Sequence, residues 1–198
     1  VLISGVSEVT VGLWTSGTSV EASWLRYYSL AVLAAVGVLT AWERWIWRIP
    51  VLQRLEFVPS AAFGTWKGTL TSAWIDPATG SPLAPKPVYL VVRQTFSSVT
   101  VMLLTEESRS RLTLGRITRV DGVSSLDYMY LSRPDSSVEH RSRIHHGSTS
   151  LDVTGSPATR LRGRYWTDRD SKGELDFNER VKALADDFSV AEQLFASQ

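Results

Sequence analysis

The chain has 198 residues, of which 43% are hydrophobic and 21% charged, with a formal net charge of +1. A generic electrostatic grip on duplex nucleic acid needs a clear basic excess, which this balance excludes. The absence of cysteine excludes disulfide frameworks, thiolate zinc sites and cysteine nucleophiles, and it suits a reducing cytoplasm.

The distribution of residue types says more than the totals. Nearly all long apolar runs, and only a handful of charges, precede Phe57. The opening Val in place of Met points to a non-standard start or to residues lost from the front. Residues 1–14, VLISGVSEVTVGLW, are apolar apart from Glu8 but too short to span a bilayer alone. They read either as a partial first membrane span, with Thr15–Ser23 as a polar turn, or as an interfacial segment.

Tyr27–Trp42 then runs sixteen residues without a charge. With its flanks, Trp24–Trp47 makes a helix of ~36 Å, enough for a ~30 Å hydrocarbon core with some tilt. Trp24, Tyr27 and Tyr28 at one end and Trp42, Trp45 and Trp47 at the other match the aromatic belts of a membrane span. Arg26 can snorkel at the first end, and Arg44, Arg48 and Arg54 cluster past the second, which puts the following segment in the cytoplasm by the positive-inside rule. The stretch is too long for a signal peptide, and no small-residue cleavage site follows. Pro50 ends the helical run and Pro59 leads into the next domain. The expected layout is a membrane region at 1–50, a linker at 51–62, a β-barrel at 63–182 and a C-terminal helix at 183–198.

From Phe63 onward the hydrophobic period becomes two. Nine runs, for about eight strands, fall at Gly64–Trp74, Val88–Phe96, Val99–Thr105, Arg109–Arg119, Ser124–Ser132, Val138–His145, Ser148–Val153, Leu161–Thr167 and Gly173–Glu179. Asp121-Gly122 between alternating runs is a strong hairpin signal, and short connections throughout imply an antiparallel up-and-down meander. Eight such strands close into a small barrel that either packs its interior or holds one small ligand. The fold class is therefore mainly β, with an N-terminal transmembrane helix before the barrel and a helix after it. A transmembrane barrel is excluded because arginines such as Arg111, Arg141 and Arg162 leave no charge-free outer band. Ala183–Ser197 turns helical, placing Leu184, Phe188, Val190 and Leu194 on one face and Asp186 and Asp187 outside, to pack on the barrel or its mouth.

No catalytic constellation stands out, and neither an enzyme activity nor a cofactor is expected. His145 and His146 adjoin and diverge on a strand, so they cannot chelate one ion together. No G-x-S-x-G elbow, Walker A or G-x-G-x-x-G run occurs. What remains is a binding inventory. Trp66, Tyr128, Tyr130, Tyr165 and Trp166 are able to stack on nucleobases. Arg93, Arg116, Arg133 and Arg169 are able to pair with phosphates, and Thr105, Ser108, Ser110 and Thr167 to hydrogen-bond sugar or phosphate oxygens. The alternative for each is that the aromatics fill the barrel and the arginines decorate its outside. The residues expected to bind ligand are Trp66, Arg93, Thr105, Ser108, Tyr128, Tyr130, Tyr165, Thr167 and Arg169.

The order of short motifs adds to this. Gly64-x-Trp66-x-Gly68, Gln94, Thr105-Glu106-Glu107-Ser108-x-Ser110, Leu126-x-Tyr128-x-Tyr130, His146-Gly147, Leu161-x-Gly163-x-Tyr165-Trp166-Thr167-x-Arg169 and Gly173 follow one another behind a membrane helix. In this the chain resembles the SMODS-associating two-transmembrane, β-strand-rich effector family of bacterial antiphage systems, over about Gly64–Gly173. The family has two membrane helices, whereas this chain shows one full span. The resemblance implies an effector of cyclic-oligonucleotide (CBASS-like) signalling at the bacterial inner membrane, with its barrel in the cytoplasm. It implies a cyclic dinucleotide ligand supplied by a partner synthase, self-association into a homo-oligomer, and membrane disruption that kills the infected cell. Three other readings stay open: a membrane-tethered carrier of a lipid or small hydrophobe, an effector held inactive by its nucleotide, and a purely structural protein whose barrel is an oligomerisation module.

Overall fold

The computed structural model describes residues 22–75, 80–135, 143–169 and 171–197. The chain forms two compact units that divide between Trp42 and Glu43. Helix α1 covers Ala22–Arg44, and its apolar side chains from Leu30 to Leu39 stand exposed. Tyr27–Arg48 is long and apolar enough to cross a membrane. The helix ends three residues before the expected Trp47. The Glu43 carbonyl accepts hydrogen bonds from Phe96 N at 3.0 Å and from Trp47 Nε1 at 3.0 Å, while the Trp47 ring is fully buried under the barrel. Trp47 is thus a core residue of the second unit rather than part of an aromatic belt.

The second unit is a closed antiparallel barrel in meander order, β1 to β8, with β1 pairing to β8. The strands are β1 Gly64–Ser72, β2 Lys86–Gln94, β3 Val99–Leu104 and β4 Ser108–Val120, then β5 Val123–Pro134, β6 His145–Thr154, β7 Arg160–Thr167 and β8 Lys172–Val181. Eight of the nine expected runs are these strands. The ninth, Val138–His145, falls largely outside the described residues; Arg143 and Ile144 are in no strand, and His145 opens β6. Asp121 and Gly122 turn the β4–β5 hairpin with φ of 51° and 78°, the left-handed geometry that two-residue hairpin turns require.

Alternation places Leu126, Tyr128 and Tyr130 inside and leaves Arg160, Arg162 and Arg164 outside, as their period predicts. The register of β4 shifts against β5 between Leu112 and Leu114. Thr113 is the extra residue, so the inward set changes from Ser110 and Leu112 to Gly115 and Ile117. β2 reads as an unbroken apolar run, Val88–Val92, because both of its faces are covered. Val88, Leu90 and Val92 face the lumen, whereas Tyr89 and Val91 lie with Met102 and Leu104 beneath the C-terminal helix.

That helix, α2, covers only Phe188–Ala196. Ala183–Asp187 stays non-helical because the Thr65 hydroxyl donates to the Ala183 carbonyl at 2.7 Å and accepts from Ala185 N at 3.0 Å. Asp187 is the N-cap, its carboxylate accepting from Val190 N at 2.8 Å. The buried face of α2 centres on Ala191, flanked by Phe188, Leu194 and Phe195, whereas Val190 is exposed. Tyr89 meets Phe188 edge-on and Phe195 in a stack, so α2 lies on the barrel wall, not on a mouth.

One end of the barrel is sealed. The stretch read as a linker, 51–62, belongs to a strap that makes two 3-10 turns, Ile46–Arg48 and Leu52–Arg54, and then runs under the strands. Gln53 is fully buried and donates to the Trp47 and Pro59 carbonyls while accepting from Ala61 N. Gln94 does the same between Ser60 and Ala62. Two side-chain amides therefore satisfy backbone groups that a plug of irregular chain would otherwise bury unpaired, each at a cost of about 1–3 kcal/mol. Above them Trp66 is fully buried under the Arg180 guanidinium, 4.9 Å from its ring centroid.

Candidate ligand-binding cavity at the barrel mouth

The opposite end of the barrel is open and holds a cavity of about 700 Å³, inside the ~300–1,000 Å³ range usual for small-molecule sites. Its floor is apolar: Leu70, Val88, Leu103 and Leu175. Its walls are mostly hydroxyl groups, from Ser72, Thr105, Ser108, Ser110, Tyr130, Ser132, Thr149, Tyr165, Thr167 and Ser171. Lys86, Glu107, His145 and Arg169 bring the charge or proton chemistry, and Trp74 adds an exposed ring.

Four glycine–aromatic pairs shape the lumen. Tyr128 faces Gly115, Tyr130 faces Gly147, Tyr165 faces Gly173 and Phe177 faces Gly68 across adjacent strands. A Cβ at any of these glycines would collide with its aromatic partner. The rings of Tyr130, Tyr165 and Phe177 thus lie across the neighbouring strand instead of standing into the lumen, and the space above stays free.

At the rim the hydroxyls are organised in pairs. Thr105 Oγ1 and Ser108 Oγ are 2.9 Å apart at the β3–β4 turn, and Thr167 Oγ1 and Ser171 Oγ are 2.6 Å apart at the β7–β8 turn. Thr167 Oγ1 also accepts from Arg169 N at 3.3 Å, which fixes the backbone from which the Arg169 side chain projects. Lys86 reaches Glu107 at 4.0 Å across the mouth. Asp168 holds His146 outside, its Oδ2 accepting from His146 N at 3.0 Å, so His145 is turned into the cavity.

Burial pushes the Tyr130 hydroxyl up to about 12 and raises those of Tyr128 and Tyr165 as well. All three are neutral donors at physiological pH, suited to phosphate or carbonyl oxygens. Burial lowers His145 below the usual imidazole value, and nearby Arg169 adds to this, partly offset by the Arg143 carbonyl and Asp168. The hydroxyls of Tyr128 and Thr149 are fully buried and close to one another, and among the described residues neither has a partner in good hydrogen-bond geometry. Thr149 also lines the cavity, so a ligand polar atom there would relieve a desolvation cost already incurred.

Of the residues expected from sequence, the cavity brings together Thr105, Ser108, Tyr130, Tyr165, Thr167 and Arg169. Tyr128 lies one level deeper, its ring centroid 6.0 Å from that of Tyr130. Trp66 is outside the cavity, at the sealed end, where its Nε1 donates to the Ala62 carbonyl at 2.8 Å. Arg93 is outside it too: it occupies an outward position on β2 and pairs with Asp186 at 3.2 Å. Ser110 lines the cavity, whereas Arg116 and Trp166 lie on the outer wall and Arg133 is exposed outside the lining. Ser72, Lys86, Ser132, His145, Thr149 and Ser171 join the lining, and none of them is among the residues expected to bind ligand. Continuing the inward period from Tyr130 to Ser132, and from Leu151 back through Thr149 and Gly147 to His145, would have found three of them.

A family model described as Cap15, cyclic dinucleotide receptor domain, matches residues 62–179. The CD-NTase-associated protein 15 of Staphylococcus schleiferi is 25% identical over 164 residues, covering 83% of this chain and 82% of its own length.

Proposed function

The chain belongs to the Cap15 family of cyclic dinucleotide receptor domains, and from that membership we propose that the mouth cavity is where a cyclic dinucleotide binds. The observation that carries this is the coincidence, within the matched residues, of an open lumen with neutral tyrosines, paired hydroxyls and one projecting arginine. A cyclic dinucleotide presents two bases and two phosphates. Tyr130, Tyr165 and Trp74 offer rings for the bases. Arg169, Lys86 and the pairs Thr105–Ser108 and Thr167–Ser171 offer donors for the phosphates. The apolar floor accepts the edge of a base and keeps water from competing.

α1 anchors the protein in the bacterial inner membrane, and the arginines that follow it place the barrel on the cytoplasmic side. Ligand made by a partner synthase alters self-association of the barrels, and the gathered helices then disrupt the membrane as the output of a CBASS effector. A ligand shifts this equilibrium only through a difference in affinity between the assembled and unassembled states. Tighter binding to the assembled form makes it an activator; tighter binding to the unassembled form makes it a restraint.

The test is calorimetric titration of the full chain in detergent with a panel of cyclic dinucleotides, followed by sedimentation with and without the best binder. A saturable heat abolished by Arg169→Ala is expected, together with a change in sedimentation whose sign separates activation from restraint. No heat with any member of the panel would overturn the reading.

A further inference from the structure

The strap that seals the barrel is apolar on both sides, and the barrel accounts for only one of them. Trp47, Gln53 and Val58 are fully buried against the strands. Between them the opposite side chains point away: Trp45, Ile49, Val51, Leu55 and Phe57 are 40% to 68% exposed. The β4–β5 hairpin adds Val120 and Val123, 66% and 67% exposed, beside its turn. This hairpin is fastened to the strap, because Arg119 donates to the Gln53 carbonyl at 2.9 Å and to the Leu55 carbonyl at 3.3 Å. The exposed apolar groups thus share the sealed end of the barrel.

We infer that this end rests on the bilayer, with the outer side of the strap and the tip of the β4–β5 hairpin inserted among the lipid headgroups. The inference relies on the reading that α1 crosses the membrane. The membrane-competent stretch runs to Arg48, so it overlaps the start of the strap. Ile49 follows the end of α1 by five residues, a reach of at most ~18 Å fully extended and ~10 Å through a 3-10 turn. Trp45 and Ile49 therefore cannot stray far from the headgroup layer in which α1 ends.

The backbone suits that layer as well. Leu52 N, Gln53 N, Arg54 N, Leu55 N and Val58 N all donate to carbonyls within the strap, which lowers the cost of seating this chain in the headgroup layer. Arg44 and Arg54 are exposed and pair with no carboxylate among the described residues, which leaves them for lipid phosphates. Glu56 and Asp121, also exposed, cap the attraction to anionic lipid, so apolar insertion carries most of the contact. A barrel seated in this way presents its cavity mouth to the cytoplasm.

Because the chain has no cysteine, single-cysteine labelling tests this in the whole 198-residue chain. Val51→Cys, Phe57→Cys and Val123→Cys, each carrying an environment-sensitive fluorophore, are placed in phosphatidylcholine vesicles with a minority of phosphatidylglycerol. Val36→Cys reports on the middle of α1, and Thr71→Cys on the exposed wall at the mouth end. The expected result is blue-shifted emission at 51, 57 and 123 that is quenched by lipids spin-labelled near the headgroup. Val36 is quenched by deep-labelled lipid, and Thr71 by neither. If Val36 is quenched while 51, 57 and 123 behave as in water, the seating is wrong and the spanning helix stands. If Val36 also stays unquenched, the spanning reading falls and the seating with it. Blue shift at 51, 57 and 123 without lipid quenching, accompanied by faster sedimentation, would mean that a second copy covers this face, and would overturn the inference.

Discussion

The two ends of the barrel are built from the same strands and end in opposite chemistry. Along β5 the inward residues run Leu126, Tyr128, Tyr130, Ser132 from the sealed end to the mouth, and along β7 they run Leu161, Gly163, Tyr165, Thr167. Along β6, in reverse, they run Val153, Leu151, Thr149, Gly147, His145. Beyond Ser124, whose hydroxyl pairs with that of Ser60 at the sealed end, polarity rises along the lumen, with an aromatic–glycine layer between. A lumen filled evenly with Leu and Val would be more stable and would bind nothing. In this barrel one half is core and the other half is site, and substitutions at the two ends should separate stability from ligand affinity.

The sharpest break is expected at the sealed end. Trp47→Ala removes a fully buried ring and should cost about 3–5 kcal/mol in urea unfolding, while the folded fraction keeps its affinity for ligand. Arg169→Ala is the converse. It removes an exposed mouth cation and should weaken binding by about 1.5–3 kcal/mol, some 10–100-fold by calorimetry. Because Arg169 is exposed, its loss should cost the fold no more than about 1 kcal/mol, far less than Trp47→Ala. If the two variants behaved alike, the division of the barrel into core and site would be wrong.

Gly147→Ala probes the layer between. A Cβ there meets the ring and hydroxyl of Tyr130, which is 5% exposed, and the Trp166 carbonyl beside it. Overpacking of this kind costs about 1–3 kcal/mol. Because Tyr130 also lines the cavity, affinity should fall together with stability, unlike in either variant above. Double substitution with Tyr130→Leu should restore stability but not binding.

These pairs also explain what was legible in advance. The strand number, the meander order and the inward face followed from period-two alternation and from the Asp121-Gly122 turn, because a half-buried strand cannot hide its pattern. The motifs Gly64-x-Trp66-x-Gly68 and Leu126-x-Tyr128-x-Tyr130 were visible as spacings, but their meaning needed register: only cross-strand pairing shows that Gly68 makes room for Phe177 and Gly147 for Tyr130. The sealed end was hidden for a different reason. Gln53 and Gln94 are isolated glutamines in sequence, and nothing local reveals that each will satisfy buried backbone groups. Trp47 reads as a membrane anchor in sequence because the same residue type serves a belt and a core equally well. Arg93 and Trp66 stand out by residue type, and type alone does not say which face of the barrel, or which end of it, a side chain occupies.

A smaller and graded effect is expected from pH. His145 faces Arg169, Asp168, His146 and the Arg143 carbonyl, and burial holds its pKa below the usual 6.5. A ligand phosphate beside the ring would raise that pKa, so the complex takes up a proton that the free protein lacks. Affinity should therefore rise as pH falls from the bound pKa toward the free one, by at most about tenfold per pH unit. The folded protein itself behaves in the opposite sense. A depressed imidazole pKa stabilises the fold above about 6.5 and loses that contribution as pH falls through the folded value. His145→Gln should flatten the binding profile; an unchanged slope would place the ligand phosphates away from this ring.

The smallest effect, and the most discriminating for the outer wall, is expected at Arg93. Its guanidinium pairs with Asp186 at 3.2 Å, and both side chains are largely exposed, at 44% and 86%. Exposed pairs of this kind contribute about 0–1 kcal/mol. Asp186 lies just before the α2 N-cap, so Arg93→Ala should leave the barrel intact and slightly raise hydrogen exchange across Phe188–Ala196. Calorimetry should show ligand affinity unchanged within error, because β2 turns residue 93 away from the lumen that Val88 and Lys86 line. A tenfold loss of affinity in Arg93→Ala would move the binding surface to the barrel exterior, next to α2, and make the mouth cavity an incidental void.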